Sequence, residues 1–495
     1  MDTLVTTIDA EAPEGRRDEA DDALRAERAW RDGELVAAID AADRALAAGV
    51  DPDCRAAAVA AAAAAADGAL LDAAARWRGI AETLDGTPGA WACGRAALAS
   101  ALAGDVAAAG RDLAEARRRT PAPAPRGLEV LLAGAEATGE AVRGDVECAA
   151  RRLAALAAAT VPADPLACER WDELAVAAVA AGGDDGTGRA MLGRHSDRPS
   201  LRHRLLAAWL DLRAGRLENA RRAFGADDGS AVLRRNAVLA AAVAIGLARR
   251  SGDDRALEAT WHRLAPVVAG ADVEPLLLDA WGEMSVGAAR VSPADAAFVV
   301  DAMRAAVERA GSPAWCVAVG HWWTLQRAVA VQDAAAAASS AKELAGVAAD
   351  HPLADVYADA AAAWAAVLAG TVDPQSALDA TVELAAAGRR WEAAELAGAA
   401  GAVCDDPAAA RELLGLGRRL RGGDGVRSRS GDGALSDRER EVGALVVDGL
   451  TQKEIGARLY ISPKTVEQHV ARLRQKLAAS NRAELVAGLR ARLGT

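Results

Sequence analysis

A glycine recurs through the first half of this chain at a nearly constant interval. Gly33, Gly68, Gly104 and Gly144 stand 35, 36 and 40 residues apart, Gly215 and Gly252 stand 37 apart, and the 71 residues from Gly144 to Gly215 make about two units. Two residues after these glycines come Leu35, Leu70, Val106, Val146 and Leu217, the pattern failing only at Asp254. Five after come Ala38, Ala73, Ala109, Ala149, Ala220 and Leu257, and nine after come Ala42, Trp77, Leu113, Leu153, Phe224 and Trp261. Positions +2, +5 and +9 share one helix face, and a small residue at +5 lets a neighbouring helix come close. The glycine ends the preceding helix and turns the chain. Each unit of about 35 residues therefore reads as a pair of helices.

Composition points the same way. The chain has 134 Ala but only 2 Phe, 2 Tyr and 4 Met among 495 residues, which favours helices with a core of small side chains. Strand-forming β-branched and aromatic runs are too thin for an all-β or doubly wound fold. The spacing resembles tetratricopeptide-type repeats in a degenerate form, with a register that fades after Gly252. That resemblance implies an irregular α-solenoid over residues 23–421, its stacked helix pairs offering a concave groove to a peptide or partner protein. The twelve tryptophans all lie between Trp30 and Trp391 and are expected in the core. Trp322 and Trp323 are adjacent, so they are expected to diverge, one inside and the other at a helix–helix rim or lining a groove.

Charge divides the chain. Residues 1–22 carry eight acidic side chains and read as a disordered tail. Residues 422–434, GGDGVRSRSGDGA, have no apolar anchor and read as a flexible linker with a reach of about 20 Å. The overall net charge is −12, yet residues 435–495 hold eleven Lys/Arg against seven Asp/Glu, leaving −16 for the rest. An acidic body with a small basic end suggests that the two parts meet different partners.

In residues 435–495 four helices follow from capping signals. Ser436 with Glu439 and Thr451 with Glu454 form S/T-x-x-E boxes, Ser462 precedes Pro463 at a first helical position, and Asn481 pairs with Glu484. Val442, Leu445 and Val446 supply the apolar face of the first helix, which Gly449 ends, and Ile455 and Leu459 that of the second. Val466, Val470, Leu473 and Leu477 line one face of the third, while Lys464, Thr465, Gln468, Arg472 and Lys476 line the other. The short connection between the second and third helices makes a helix-turn-helix. The segments LSDREREV, GLTQKEIGARLYISPKTVEQHV, RLRQKL and NRAEL together resemble the LuxR-type (GerE-like) DNA-binding domain.

The resemblance implies a homodimer on double-stranded promoter DNA, with the third helix in the major groove and the fourth at the dimer contact. Carried over by position, Lys453, Lys464 and Thr465 lie where the family approaches phosphates, and Ser462, the cap of the third helix, joins them in the DNA-binding set. Glu467 and Gln468 lie where it reads bases, and His469, Arg472, Arg474 and Lys476 are backbone contacts. Glu467 and Ala471 depart from members that carry Lys or Arg there, which leaves the operator sequence open.

Other chemistries find little support. No lysine precedes Lys342, and none follows the glycine-rich turn that a phosphate-binding loop requires. The body resembles the helical-repeat part of large ATP-binding LuxR regulators, including the run at 391–421, without their ATPase. Six scattered cysteines and five histidines outside the helix-turn-helix show no ligand spacing, so no metal, cofactor or catalytic site is expected. Asp pairs such as Asp184–Asp185 and Asp253–Asp254 are expected as solvated caps. Without a leader or an apolar run of membrane length, the chain reads as cytoplasmic, nucleoid-associated when bound to DNA. The expectation is an all-α transcription regulator whose body senses a ligand or protein partner, RNA polymerase being one further partner. The alternative is an interaction adaptor that its DNA module merely localises.

Overall fold

Alanine-rich segments punctuated by glycine build helices in the computed structural model, with no strand among the described residues. These are all residues except 1–13, 50, 52, 160–163, 165, 168, 194–198, 226–233, 422–436, 448, 453, 456–465, 468–469, 471–472, 474–484, 487–488 and 491–495. Contacts divide the chain into two units, Met1–Gly423 and Asp424–Thr495. The stretch expected as a linker, 422–434, lies outside the described residues.

The first unit runs as successive helix pairs. They are α1 (Glu14–Arg31) with α2 (Leu35–Ala48), α3 (Arg55–Ala66) with α4 (Leu70–Thr83), α5 (Gly86–Leu102) with α6 (Val106–Arg119), and α7 (Arg126–Arg143) with α8 (Val146–Ala157). There follow α9 (Trp171–Ala181) with α10 (Asp185–Gly193), α11 (Leu201–Arg213) with α12 (Leu217–Phe224), and α13 (Arg234–Ser251) with α14 (Asp254–Val268). A short 3-10 turn, Pro275–Leu277, precedes α15 (Leu278–Val291), which pairs with α16 (Pro293–Arg309). The remaining pairs are α17 (Ala314–Ala330) with α18 (Ala334–Val347), α19 (Pro352–Ala369) with α20 (Pro374–Ala386), and α21 (Arg390–Val403) with α22 (Pro407–Arg421). From α5 to α21, each odd-numbered helix also packs on the next odd-numbered one. The first helix begins at Glu14, inside the stretch expected to be a tail, and Asp22 on it accepts from Arg44 of α2 at 3.1 Å.

The recurring glycines sit at the turns. Gly33, Gly68, Gly104, Gly144, Gly215 and Gly252 all take positive φ, from 72° to 112°. At Gly104 the glycine N–H reaches the Ala101 carbonyl and the Asp105 N–H reaches that of Ser100, the double bond that closes a helix end. Between α17 and α18 Gln332 makes the same turn at φ 58°, with Asp333 N–H on the Ala328 carbonyl. There the turn persists without the glycine, whereas between α15 and α16 Ser292 is extended at φ −145°, so the glycine repeat fades in sequence. The +5 residues of all six units are buried.

The turns of the early pairs are covered by the later half of the unit. Asp272 donates its N–H to the Gly68 carbonyl at 2.9 Å, Arg309 reaches the Ala103 carbonyl at 2.7 Å, and the Trp315 indole reaches that of Val142 at 3.0 Å. Gly183 lies against Leu353 and Ala387.

Two expectations need correction. Trp322 and Trp323 are both buried, because α17 packs against α15, α16, α18 and α19 and so has neighbours around its circumference. Trp322 stacks on Tyr357 with ring centroids 4.7 Å apart, while Trp323 donates to Asp279 at 2.8 Å. Asp184 caps α10 through the Thr187 N–H, but Asp185 is buried rather than solvated, with Arg213 at 3.1 Å.

Asp185 belongs to a buried charge cluster. Arg213 also approaches Asp279, which accepts from Arg389, and Arg389 in turn donates to the Tyr357 hydroxyl at 2.7 Å. Nearby, Glu283 accepts from Arg249 and Arg250, and Arg250 continues to Glu392. A third group joins Glu274 to Arg202 and Arg235. Burying charge is costly unless it is paired, and these carboxylates and guanidiniums supply one another.

Candidate nucleic-acid interface

The second unit is small, and its core is built from helix faces that alternate at three and four residues. Its first helix, α23, spans Asp437–Val447 and buries Val442 and Val446, with Leu445 packed partly beside them. Gly449 ends it at φ 88°, its N–H on the Val446 carbonyl and the next N–H on that of Leu445. Gly443 is needed for packing, since a Cβ there would stand 2.8 Å from a Leu489 methyl.

The next helical residues open with the expected capping box. The Glu454 carboxylate accepts from both the Thr451 N–H at 2.8 Å and the Thr451 hydroxyl at 2.7 Å, while the Glu454 N–H points back to that hydroxyl at 3.4 Å. Those hydrogen bonds, the backbone one foremost, hold the Glu454 carboxyl below its usual range. Ile455 then turns into the core beside Val466, Val470, Leu473, Leu485 and Leu489. Val466, Val470 and Leu473 face inward as their spacing predicts, and Glu467 is exposed on the opposite side. Buried Val466, Val470 and Leu473 beside an exposed Glu467 are what the expected groove-entering helix requires of these residues.

Residues 433–488 match the bacterial regulatory proteins of the luxR family. Over 55 residues the chain is 46% identical to the spore germination protein GerE of Bacillus subtilis, a segment that is 11% of this chain and 74% of GerE. The chain belongs to the luxR family. It is also 49% identical over 51 residues to the transcriptional regulatory protein UhpA of Escherichia coli, 10% of this chain and 26% of UhpA. With an HTH-type transcriptional regulator of Mycobacterium bovis it shares 39% identity over 75 residues, 15% of this chain and 8% of that relative. The residues that match the family, 433–488, lie in the C-terminal unit, and this chain spans under a tenth of the mycobacterial relative. No solved structure matches the chain significantly.

Within this luxR-family domain Glu467 is the expected contact residue that falls among the described residues. Lys453, Ser462, Lys464, Thr465, Gln468, His469, Arg472, Arg474 and Lys476 lie outside them, as do Leu459 and Leu477 of the expected apolar faces. Sequence reasoning missed the buried Arg389–Asp279 and Arg250–Glu283 pairs of the first unit. Their partners come from helices far apart in the chain, so no local spacing announces them.

Proposed function

We propose that this protein is a transcription regulator that binds promoter DNA through its C-terminal luxR-family domain. The observation that carries the reading is the GerE-like core, which turns Val466, Val470 and Leu473 inward and leaves Glu467 outside. On this reading Lys453, Lys464 and Thr465 hold phosphates, Ser462 caps the helix that carries the last two to the DNA, and His469, Arg472, Arg474 and Lys476 add backbone contacts. Gln468 pairs with adenine and Glu467 accepts from cytosine. Two copies occupy two half-sites, with the last helix of each at the dimer contact. RNA polymerase is a further partner, and the protein acts in the cytoplasm on the nucleoid.

The first unit is, in the same proposal, a tetratricopeptide-like stack that senses a ligand or protein partner without chemically transforming it. A cavity of about 950 Å³ between α8, α9, α10, α11 and α19, lined among others by Val176, Met191, His203 and His351, supports a sensing role. Such volumes are typical of small-molecule sites. Ligand binding that changed dimerisation would alter DNA affinity, because two linked half-site contacts multiply.

The test is recovery of genomic DNA fragments by the full chain at low salt, followed by sequencing. Fragments from promoter regions are expected to be enriched, with affinity falling steeply as salt rises. A recovered population indistinguishable from the input contradicts the proposal.

A further inference from the structure

A smaller cavity of about 270 Å³ lies between α15, α16 and α17. Its walls are largely apolar, with Val300, Met303 and Val307 from α16 and Val317 from α17. Arg327 also lines it, and its surroundings set it apart from the other partly buried arginines. Its Nη2 donates to the Thr324 hydroxyl at 3.3 Å, and its buried Nε has no hydrogen-bond partner among the described residues. No carboxylate lies within ion-pair distance among those residues. Burial lowers its pKa, whereas Arg152, Arg170, Arg249 and Arg389 are all raised by carboxylate or hydroxyl neighbours. A guanidinium partly withdrawn from water without a counter-ion carries a cost at its buried Nε, and an anion that enters the cavity relieves it.

We propose that this cavity binds a small organic carboxylate, its carboxyl group held by the Arg327 guanidinium and its apolar body against Val300, Met303, Val307 and Val317. The Thr324 hydroxyl positions that guanidinium while donating its own proton to the Gly320 carbonyl at 3.0 Å. A single under-paired cation suits a monoanion better than a phosphate dianion. The other charges at the mouth are engaged: Glu308 lies 3.6 Å from Arg304, which also donates to Asp301 at 2.9 Å. His321 faces the same space, and burial holds its imidazole below the usual range, so it adds no second cation. The volume falls just below the roughly 300–1,000 Å³ of drug-sized sites, which selects a small ligand. This site is separate from the larger cavity between α8, α9, α10, α11 and α19, and it rests on the sensing reading only for its biological meaning.

Gly320 supplies a blocking variant. It lines the cavity from the middle of α17, and a Cβ added there meets nothing within 4 Å, so Gly320→Leu fills the space without displacing a neighbour's backbone. The experiment is calorimetric titration of the full chain, without DNA, using hexanoate and benzoate as probes and hexanol and inorganic phosphate as controls. At least one carboxylate is expected to bind saturably, with hexanol and phosphate about tenfold weaker or worse. Both Gly320→Leu and Arg327→Met abolish the binding, and Arg327→Met melts no lower than the parent because an uncompensated charge is removed. The inference is overturned if neither carboxylate binds at millimolar concentration, if hexanol binds as well as hexanoate, or if both variants bind like the parent. Since DNA is absent, failure here is distinct from failure of the DNA-binding proposal.

Discussion

Arg389 donates to both carboxylate oxygens of Asp279 at 2.6 Å, joining the cap of α21 to the first turn of α15 across 110 residues of sequence. Burial alone would raise the Asp279 carboxyl, but the charges of Arg389 and Arg213 outweigh it and hold the group below its usual range. Such a pair is weak as a source of net stability and costly to break from one side. Arg389→Met is expected to destabilise the first unit by about 3–5 kcal/mol. Urea unfolding followed by tryptophan fluorescence reads this unit alone, since all twelve tryptophans lie in it. A loss below about 1 kcal/mol would place the pair among ordinary surface bridges.

The buried carboxylates contribute two slopes of opposite sign to the pH dependence of stability. Burial raises the Asp185 carboxyl to about 6, with Arg213 and Arg389 opposing only in part. Burial would raise Glu274 and Glu283 too, but Arg235 and Arg202 at the first and Arg249 and Arg250 at the second hold both at about 2. Asp185 takes up a proton more readily folded than unfolded, so its contribution to stability grows as pH falls from above 6 towards 3.8. Glu274 and Glu283 contribute fully above their ordinary value of 4.5, and that contribution is lost as pH falls towards 2. Partly buried His321 and His351, whose imidazoles burial lowers, lose stability over the same range as Asp185 gains it. The Asp185 effect is therefore read as the parent's urea midpoint relative to that of Asp185→Asn. This difference is expected to rise from pH 7 to pH 5, while both chains drop by pH 3. A difference that stays flat from pH 7 to pH 5 contradicts the raised Asp185 carboxyl.

Two glycines in the same part of the unit should respond oppositely to one methyl group. A Cβ at Gly282 of α15 would overlap the Trp323 indole, whereas one at Gly320 meets open space. Gly282→Ala is expected to cost about 1–3 kcal/mol by overpacking. Gly320→Ala is expected to add about 0.5–1 kcal/mol through helix propensity. Thermal melts of the two variants beside the parent check both signs at once.

What the sequence discloses follows from how local the cause is. Gly449, the Thr451–Glu454 box and the inward spacing of Val466, Val470 and Leu473 are settled within a turn or two of chain, and all are legible. The helix-pair turns are legible wherever glycine makes them and vanish at Gln332, which adopts the same backbone without the same letter. Trp322, Trp323 and Asp185 mislead for a different reason. A residue's neighbours on both sides of a helix come from segments tens of residues away, so neither the second burial nor the guanidinium that meets a carboxylate is written nearby.

The most direct measurement is fluorescence-anisotropy titration of the full chain on a DNA fragment it has selected, repeated across salt concentrations and with two sets of variants. Lys464→Ala with Thr465→Ala is expected to weaken binding to selected and unselected DNA alike and to flatten the salt dependence. Gln468→Ala is expected to cost about 1–3 kcal/mol on the selected fragment and to relax the preference for it. A parent chain that binds no DNA at low salt, or a reversed pattern between the two sets, contradicts the assignment of this protein as a DNA-reading regulator.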